Sequence, residues 1–228
     1  MRAILVHGFT QSADSWQPLI DALPGDWDIV PIEVPEGLDF LSTASGIGAR
    51  GGRGTYVGYS MGGRLCLALA LERPDLVDEL VLVSASPGIA DERERSARRT
   101  ADERLALDVE RDGVDAFLDR WLDQPLFASL PRDLARVDER RRTNTVDRIT
   151  HQLRALGQGV QPSFWEQLPQ LAMPVTLVTG AYDRKYTELA GRMGAAIGDD
   201  ALVVVIPRAG HALHLEQPAA LAAVLREG

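Results

Sequence analysis

Six short, apolar, β-branched runs punctuate the chain: Ala3 to Val6, Ile29 to Ile32, Thr55 to Gly58, Leu80 to Ser84, Val175 to Thr179 and Leu202 to Ile206. Each is bounded by glycine, proline or polar residues, and each is continuously apolar rather than alternating. That is the pattern of parallel strands covered by helices on both faces. Helical spacing fills intervals between them, over Ser15 to Leu23, Gly62 to Glu72, Tyr186 to Ala196 and Pro218 to Arg226. The rhythm predicts an α/β fold, a mostly parallel sheet flanked by helices and linked by right-handed crossovers. The stretch from about Pro87 to Pro174 interrupts it with helical spacing over Ala101 to Leu122 and Asp133 to Leu156. We read this as a helical cap, at about residues 88–165, inserted into a single domain spanning 1–228. Gly46 to Gly54 is glycine-rich and is expected to be a flexible or tight connection. It lacks the Gly-Lys-Ser/Thr ending of a phosphate loop and precedes a strand instead of following one.

Composition narrows the setting. The chain is 45% hydrophobic and 25% charged, as in ordinary globular proteins, and no apolar run approaches the length of a membrane span. The first apolar run reaches His7-Gly8 too early for a secretory signal. A single cysteine, Cys66, excludes an intramolecular disulfide framework and a cysteine-rich zinc site, which suits the cytoplasm. The net charge of −9 argues against nucleic-acid binding. Charge is uneven, however: residues 88–154 hold 14 of the 24 basic residues, all arginine, so this segment could receive an anion. No metal and no organic cofactor is expected, and the protein is read as a monomer or weak homo-oligomer that binds neither nucleic acid nor membrane.

The chemistry lies in Val57-Gly58-Tyr59-Ser60-Met61-Gly62-Gly63, a Gly-x-Ser-x-Gly motif directly after one expected strand and before an expected helix. This is the context of a nucleophile elbow, whose sharp turn strains the serine backbone and leaves no room for side chains two residues to either side. The bland alternative is a glycine-rich turn with a chance serine. A serine hydroxyl is a weak nucleophile or base until an imidazole, oriented by an acid, accepts its proton. Asp183 follows the run Val175 to Thr179 and His211 follows Leu202 to Ile206, so serine, acid and histidine each stand past a strand end, in the chain order of the α/β-hydrolase fold. Taken singly, Asp183 could be a turn former and His211 a cap. His214 competes with His211 but follows no strand directly, and His151 lies in the cap. The Phe9 and Met61 N–H groups are the expected oxyanion donors, with His7 holding the first loop and Cys66 a buried core thiol.

Several further stretches match a narrower group: Val6 to Phe9, Gly58 to Arg64, Ser86-Pro87-Gly88, Gln124 to Leu130, Arg142-Thr143-Asn144 and Ile206 to His211. Through them the chain resembles the menaquinone-pathway synthases that make 2-succinyl-6-hydroxy-2,4-cyclohexadiene-1-carboxylate by eliminating pyruvate. The resemblance spans almost the whole chain, with the cap motifs and Arg64 its most discriminating parts. It implies a small-molecule polycarboxylate substrate with three carboxylates, bound by Arg64, Arg98 and Arg142, with Tyr59 and Trp121 lining the same pocket. It also implies that Ser60, relayed to His211, removes a ring proton, with no acyl-enzyme and no water taking part. For Arg98, Arg93, Arg95 and Arg99 the bland alternative is a solvated helix face. The chain departs from related enzymes at Glu33-Val34-Pro35-Glu36-Gly37, where they carry Asp-x-Pro-Gly-His-Gly and then a full helix; here that helix is expected to be short or missing. The rival readings are a carboxylesterase or related serine hydrolase and a catalytically silent binding protein. Arginines in the cap and at position 64 separate them, because a neutral ester needs none.

Overall fold

A computed structural model describes residues 1–227. All six apolar runs are strands: β1 (Arg2–Val6), β2 (Asp28–Ile32), β3 (Gly54–Tyr59), β4 (Val77–Val83), β5 (Val175–Gly180) and β6 (Ala201–Ile206). They form one parallel sheet in the order β2-β1-β3-β4-β5-β6. The helices are α1 (Gln17–Ile20), α2 (Phe40–Gly51), α3 (Met61–Glu72), α4 (Glu92–Leu122), α5 (Val137–Thr143), α6 (Val146–Leu156), α7 (Arg184–Ile197), α8 (Leu213–Glu216) and α9 (Pro218–Glu227). The apolar faces of α2, α3 and α7 cover one side of the sheet, and those of α1, α8 and α9 the other. Burial on both faces is why the strands lack alternation. No helix among the described residues is long and apolar enough to cross a membrane.

From β1 the chain steps outward to β2, then returns to β1's other side as β3. The direction of winding therefore reverses between β1 and β3, and ligands of open parallel sheets bind at the carboxyl ends of such a pair. Because Val6 pairs with Gly58, the segments following both strands emerge side by side.

Between β4 and β5 lies the helical segment expected as a cap. Its first helix starts earlier than its apolar spacing suggests, because Asp91 caps it by accepting the Glu94 N–H at 2.9 Å. The expected helix from Asp133 to Leu156 is split. Asn144 turns its amide to the Thr10 carbonyl, 2.8 Å away, and Thr145 starts a new helix by accepting the Arg148 N–H. The expected helix from Ser15 to Leu23 is likewise reduced to a 3₁₀ turn at Ala13–Trp16 followed by α1.

One expectation is overturned. Before the elbow there is a full helix, α2, twelve residues long and capped by Asp39, which accepts the Ser42 N–H at 2.8 Å. Of the glycines read as a connection, Gly46, Gly48 and Gly51 belong to its body, whereas Gly52 ends it with φ 67° and Gly54 opens β3. A Cβ at Gly48 would stand 2.6 Å from Leu69 Cδ1, and one at Gly51 would stand 2.7 Å from the Tyr56 hydroxyl. Their missing side chains let α2 lie close on α3 and the sheet, so they serve packing and not loop flexibility.

Gly113 interrupts α4 with φ 81° and ψ 173°, a conformation essentially confined to glycine, and a Cβ there would touch nothing. Gly113→Ala is therefore expected to act through backbone strain alone. It should cost about 1–3 kcal/mol and lower the melting temperature by roughly 2–10 °C in a calorimetric scan.

Candidate active site

Ser60 stands between β3 and α3 with φ 50° and ψ −106°, outside the regions a residue with a side chain normally adopts. Its surroundings hold it there. The Ser60 N–H donates to the Val83 carbonyl at 2.9 Å, and the Arg64 N–H donates to the Ser60 carbonyl at 3.1 Å. A Cβ at Gly62 would meet the Val6 carbonyl oxygen at 2.1 Å, and one at Gly58 would meet Gly63 Cα at 2.5 Å. Only glycine permits this approach of backbone to backbone, which turns the serine side chain up from the sheet.

The loops after β5 and β6 bring the other two predicted residues to it. They are stitched together by the Tyr182 N–H donating to the Ala209 carbonyl at 2.9 Å. Asp183 caps α7, with Oδ1 accepting the Tyr186 N–H at 3.3 Å, while its Oδ2 lies 2.7 Å from His211 Nδ1. With Nδ1 donating to the carboxylate, Nε2 is left to accept the Ser60 hydroxyl at 3.1 Å. The His211 ring is packed by Tyr186, Tyr59 and Phe127, at centroid distances of 4.6, 5.5 and 6.0 Å. Serine, imidazole and carboxylate thus form a continuous hydrogen-bonded chain able to move a proton off the serine hydroxyl. His214 is elsewhere: its ring packs at a tilt against Tyr59, centroids 4.1 Å apart, and it accepts from the Gln11 amide at 3.1 Å. Burial, then the nearby charges of Arg140 and His211, push its pKa well below the usual imidazole range. Cys66, on α3, is buried in the core, and burial raises its pKa.

Phe9 and Met61 border the pocket beside Ser60, and among the described residues neither backbone N–H has a hydrogen-bond partner. The loop carrying Phe9 is gripped from two sides. From the sheet side, the His7 ring is held between the Val34 N–H, 3.2 Å from Nε2, and the Gly8 carbonyl, 2.9 Å from Nδ1. Gln11 Oε1 accepts the Gly8 N–H at 3.3 Å. From the cap, Asn144 donates to the Thr10 carbonyl, Arg140 to the Thr10 hydroxyl, and Glu139 accepts the Ser12 hydroxyl at 2.6 Å. Thr10 itself has φ 63°, so its position depends on these partners. Glu33 adds a brace, taking the Ala13 N–H at 2.6 Å and Arg148 at 3.0 Å, with His7 Nε2 3.3 Å away.

Above Ser60 and beneath the cap is a cavity of about 410 Å³. Its walls hold four cationic side chains, Arg64, Arg98, Arg140 and Lys185, against one carboxylate, Asp102. Arg98 pairs with Asp102 at 2.7 Å and also donates to Gln158 at 3.0 Å. Arg64 and Arg140 are 6% and 3% exposed, and among the described residues neither has a carboxylate partner. Arg64 donates to Gln161 at 3.1 Å and lies over the Phe40 ring, whereas Arg140 donates to the Ala135 carbonyl at 2.8 Å. Burial pushes both guanidiniums down to a pKa of about 10, so they remain charged at neutral pH. Two buried, unneutralised guanidiniums form a ready site for anionic groups.

Tyr59, Arg64, Arg98 and Trp121 all line this cavity, as expected. Arg142 does not: it is exposed and turned away. Residues two apart on a helix point in nearly opposite directions, and on α5 the inward one is Arg140. Sequence reasoning also missed Lys185, Tyr186 and Gln152. For Arg140 a signal existed, because Asn144 lies one turn beyond it on the same face. Arg93 and Arg95 behave as the solvated helix face considered above, with Arg95 paired to Glu92.

The chain belongs to the α/β hydrolase family, whose model matches residues 3–224. Within that family it is 33% identical over 217 residues to the 2-succinyl-6-hydroxy-2,4-cyclohexadiene-1-carboxylate synthase of Serratia proteamaculans (strain 568), covering 92% of this chain and 82% of that protein. It is 31% identical over 241 residues to the synthase of the same name from Salmonella paratyphi A, covering 98% and 93%. Among solved structures, MenH from S. aureus has the same fold, with a TM-score of 0.91 at 24% identity over 100% of this chain and 92% of that one. A thermophilic esterase from Thermogutta terrifontis shares the fold at a TM-score of 0.81 and 21% identity, covering 100% and 88%.

Burial alone would raise the pKa of Glu33, but the His7 ring, the Ala13 N–H and Arg148 outweigh it and hold the pKa down to about 2. A carboxylate depressed on folding adds stability above its ordinary value of 4.5 and loses it as the pH falls towards 2. Glu33→Gln should therefore lower the urea midpoint at pH 7. The gap from the parent protein should narrow steadily between pH 4.5 and pH 3.

Proposed function

We propose that this protein is a carbon–oxygen lyase of menaquinone biosynthesis. It eliminates pyruvate from 2-succinyl-5-enolpyruvyl-6-hydroxy-3-cyclohexene-1-carboxylate to give 2-succinyl-6-hydroxy-2,4-cyclohexadiene-1-carboxylate. The observation that carries this reading is the pair of buried guanidiniums, Arg64 and Arg140, left without carboxylates in a cavity that already holds Arg98 and Lys185. A substrate with succinyl, ring and enolpyruvyl carboxylates supplies the missing charge, and guanidinium forks bind carboxylates bidentately. The names of the relatives above point the same way.

In this reaction His211 Nε2 accepts the Ser60 proton, and Asp183 stabilises the imidazolium that results. The Ser60 oxygen then takes a proton from the substrate ring. Electrons of the broken C–H bond form a new ring double bond, the electrons of the existing ring double bond shift one position along to complete the diene, and the C–O bond to the enolpyruvyl group breaks. Pyruvate leaves as its enolate and receives the proton held on His211, which restores the starting state. The Phe9 and Met61 N–H groups face negative charge developing on the succinyl carbonyl, where each such donor contributes about 3 kcal/mol. No acyl-enzyme forms.

The same serine–histidine chain would serve ester hydrolysis, so the deciding experiment compares two substrates on purified protein. Rapid pyruvate release from the cyclohexene substrate with negligible cleavage of a short p-nitrophenyl ester is expected. Ester turnover without pyruvate release would make the protein a serine hydrolase. Ser60→Ala and His211→Ala should each cut pyruvate release by roughly a thousandfold or more, and wild-type turnover by Ser60→Ala would refute the mechanism.

The arginines separate by position. Arg140→Ala should raise KM for the cyclohexene substrate by about 10- to 100-fold, the worth of one charged hydrogen-bonded contact. Arg142→Ala should leave KM within about twofold, as for an exposed surface charge.

A further inference from the structure

The two edges of the sheet are built differently. On one side β2 carries Pro31. The Asp28 N–H donates to the Met1 carbonyl at 2.9 Å, so even-numbered residues of β2 turn their backbone to β1, and Pro31 places its missing donor on the outer edge. That blunts the edge against further pairing. On the other side β6 reads Ala-Leu-Val-Val-Val-Ile, with no proline and no charge. Leu202, Val203 and Val205 are 56%, 37% and 42% exposed. The helix beside it, α7, meets Val203 through Gly194, where a Cβ would stand 2.8 Å from Val203 Cγ2, and a glycine shields nothing.

The backbone of β6 is open as well. The Val175 N–H donates to the Asp200 carbonyl at 2.8 Å and the Ala181 N–H to the Ile206 carbonyl at 2.9 Å, so the even-numbered residues face β5 and the odd-numbered ones face outwards. Ala201 turns its N–H back to the Gly198 carbonyl at 3.1 Å, and Pro207 has none. The free donors are those of Val203 and Val205, which among the described residues have no partner. Charge stands only at the ends of the strand: Asp199 and Asp200 precede it and Arg208 follows it, all three exposed and, among the described residues, outside any ion pair.

We infer that β6 is the seam of a homodimer, in which two copies of this chain pair edge to edge, antiparallel, and their sheets become continuous. The charges select a second copy in that orientation. An antiparallel mate brings the start of one β6 beside the end of the other, so the acidic pair of each copy meets Arg208 of the other, twice across a two-fold axis. A parallel mate would set like charges side by side. The backbone fixes the register. With Val204 opposite Val204 on the axis, Val203 of each copy exchanges both hydrogen bonds with Val205 of the other, and their side chains pack as cross-strand pairs. In the same register Asp200 comes across from the turn that holds Arg208. The acidic turn of the second copy then stands against the loop that carries His211.

Sedimentation equilibrium on the full chain at micromolar concentrations should give a mass twice 24.8 kDa. Val205→Lys, a charge on the free edge, should return the protein to monomer. Arg208→Asp should weaken the dimer about tenfold, the worth of two exposed ion pairs, and adding Asp200→Arg to it should restore the wild-type constant. Cysteine pairing reads the register. Cys66 is buried, so Val204→Cys supplies the one reachable thiol. Mild oxidation should join it to its counterpart, because residues opposite one another in a non-hydrogen-bonded pair have Cα atoms about 4.5 Å apart, within disulfide reach. Val203→Cys stands about 7–8 Å from its counterpart and should stay reduced. A single-chain mass at every concentration overturns the inference. So does an oligomer in which Val204→Cys does not cross-link and the charge exchange changes nothing. If Val205→Lys fails to fold, the cysteine and charge-exchange variants decide.

Discussion

Everything at this site depends on how closely backbone can approach backbone at the turn between β3 and α3. The Val6 carbonyl, the Gly62 backbone and the Gly58–Gly63 contact leave no space for a Cβ. Ser60 is forced into a conformation that lifts its hydroxyl above the sheet. The same contact sets the Met61 N–H beside the loop that follows β1. Strain at one residue is tolerated because packing and hydrogen bonds around it leave no alternative.

On that frame the chain builds an electrostatic contrast. The protein as a whole carries a net charge of −9, yet the cavity walls hold four cations and one carboxylate. An ion buried without a counterion costs several kcal/mol even after local relaxation. Gln161 and the Phe40 face offset part of this for Arg64, and backbone and hydroxyl oxygens do so for Arg140. None of these partners neutralises the charge, so a ligand that paired anionic groups with these guanidiniums would stabilise the folded protein.

The strands and the serine–histidine–aspartate chain were legible because each is local in sequence. A strand ends, and the residue that matters stands within a few positions of that end, as at Ser60, Asp183 and His211. Features set by rotation or by distant contact were not. Arg140 and Arg142 differ only by the turn of a helix whose inward face is fixed by Thr10, some 130 residues away. The glycines of α2 looked like a loop because their purpose, contact with Leu69 and Tyr56, lies in other elements. Lys185 is one exposed cation among many until the fold places it on the cavity wall.

The cap is continuous in sequence, yet it is not a separable part. Asn144, Arg140 and Glu139 hold Thr10 and Ser12, so the loop bearing the Phe9 amide is shared between the inserted segment and the first strand of the sheet. Exchange of the cap for that of a relative would carry away the supports of an amide encoded more than a hundred residues earlier. Substrate range in such a protein can therefore drift readily by side-chain replacement on the inner walls. Wholesale transplantation succeeds only if residues 10–12 travel with the graft.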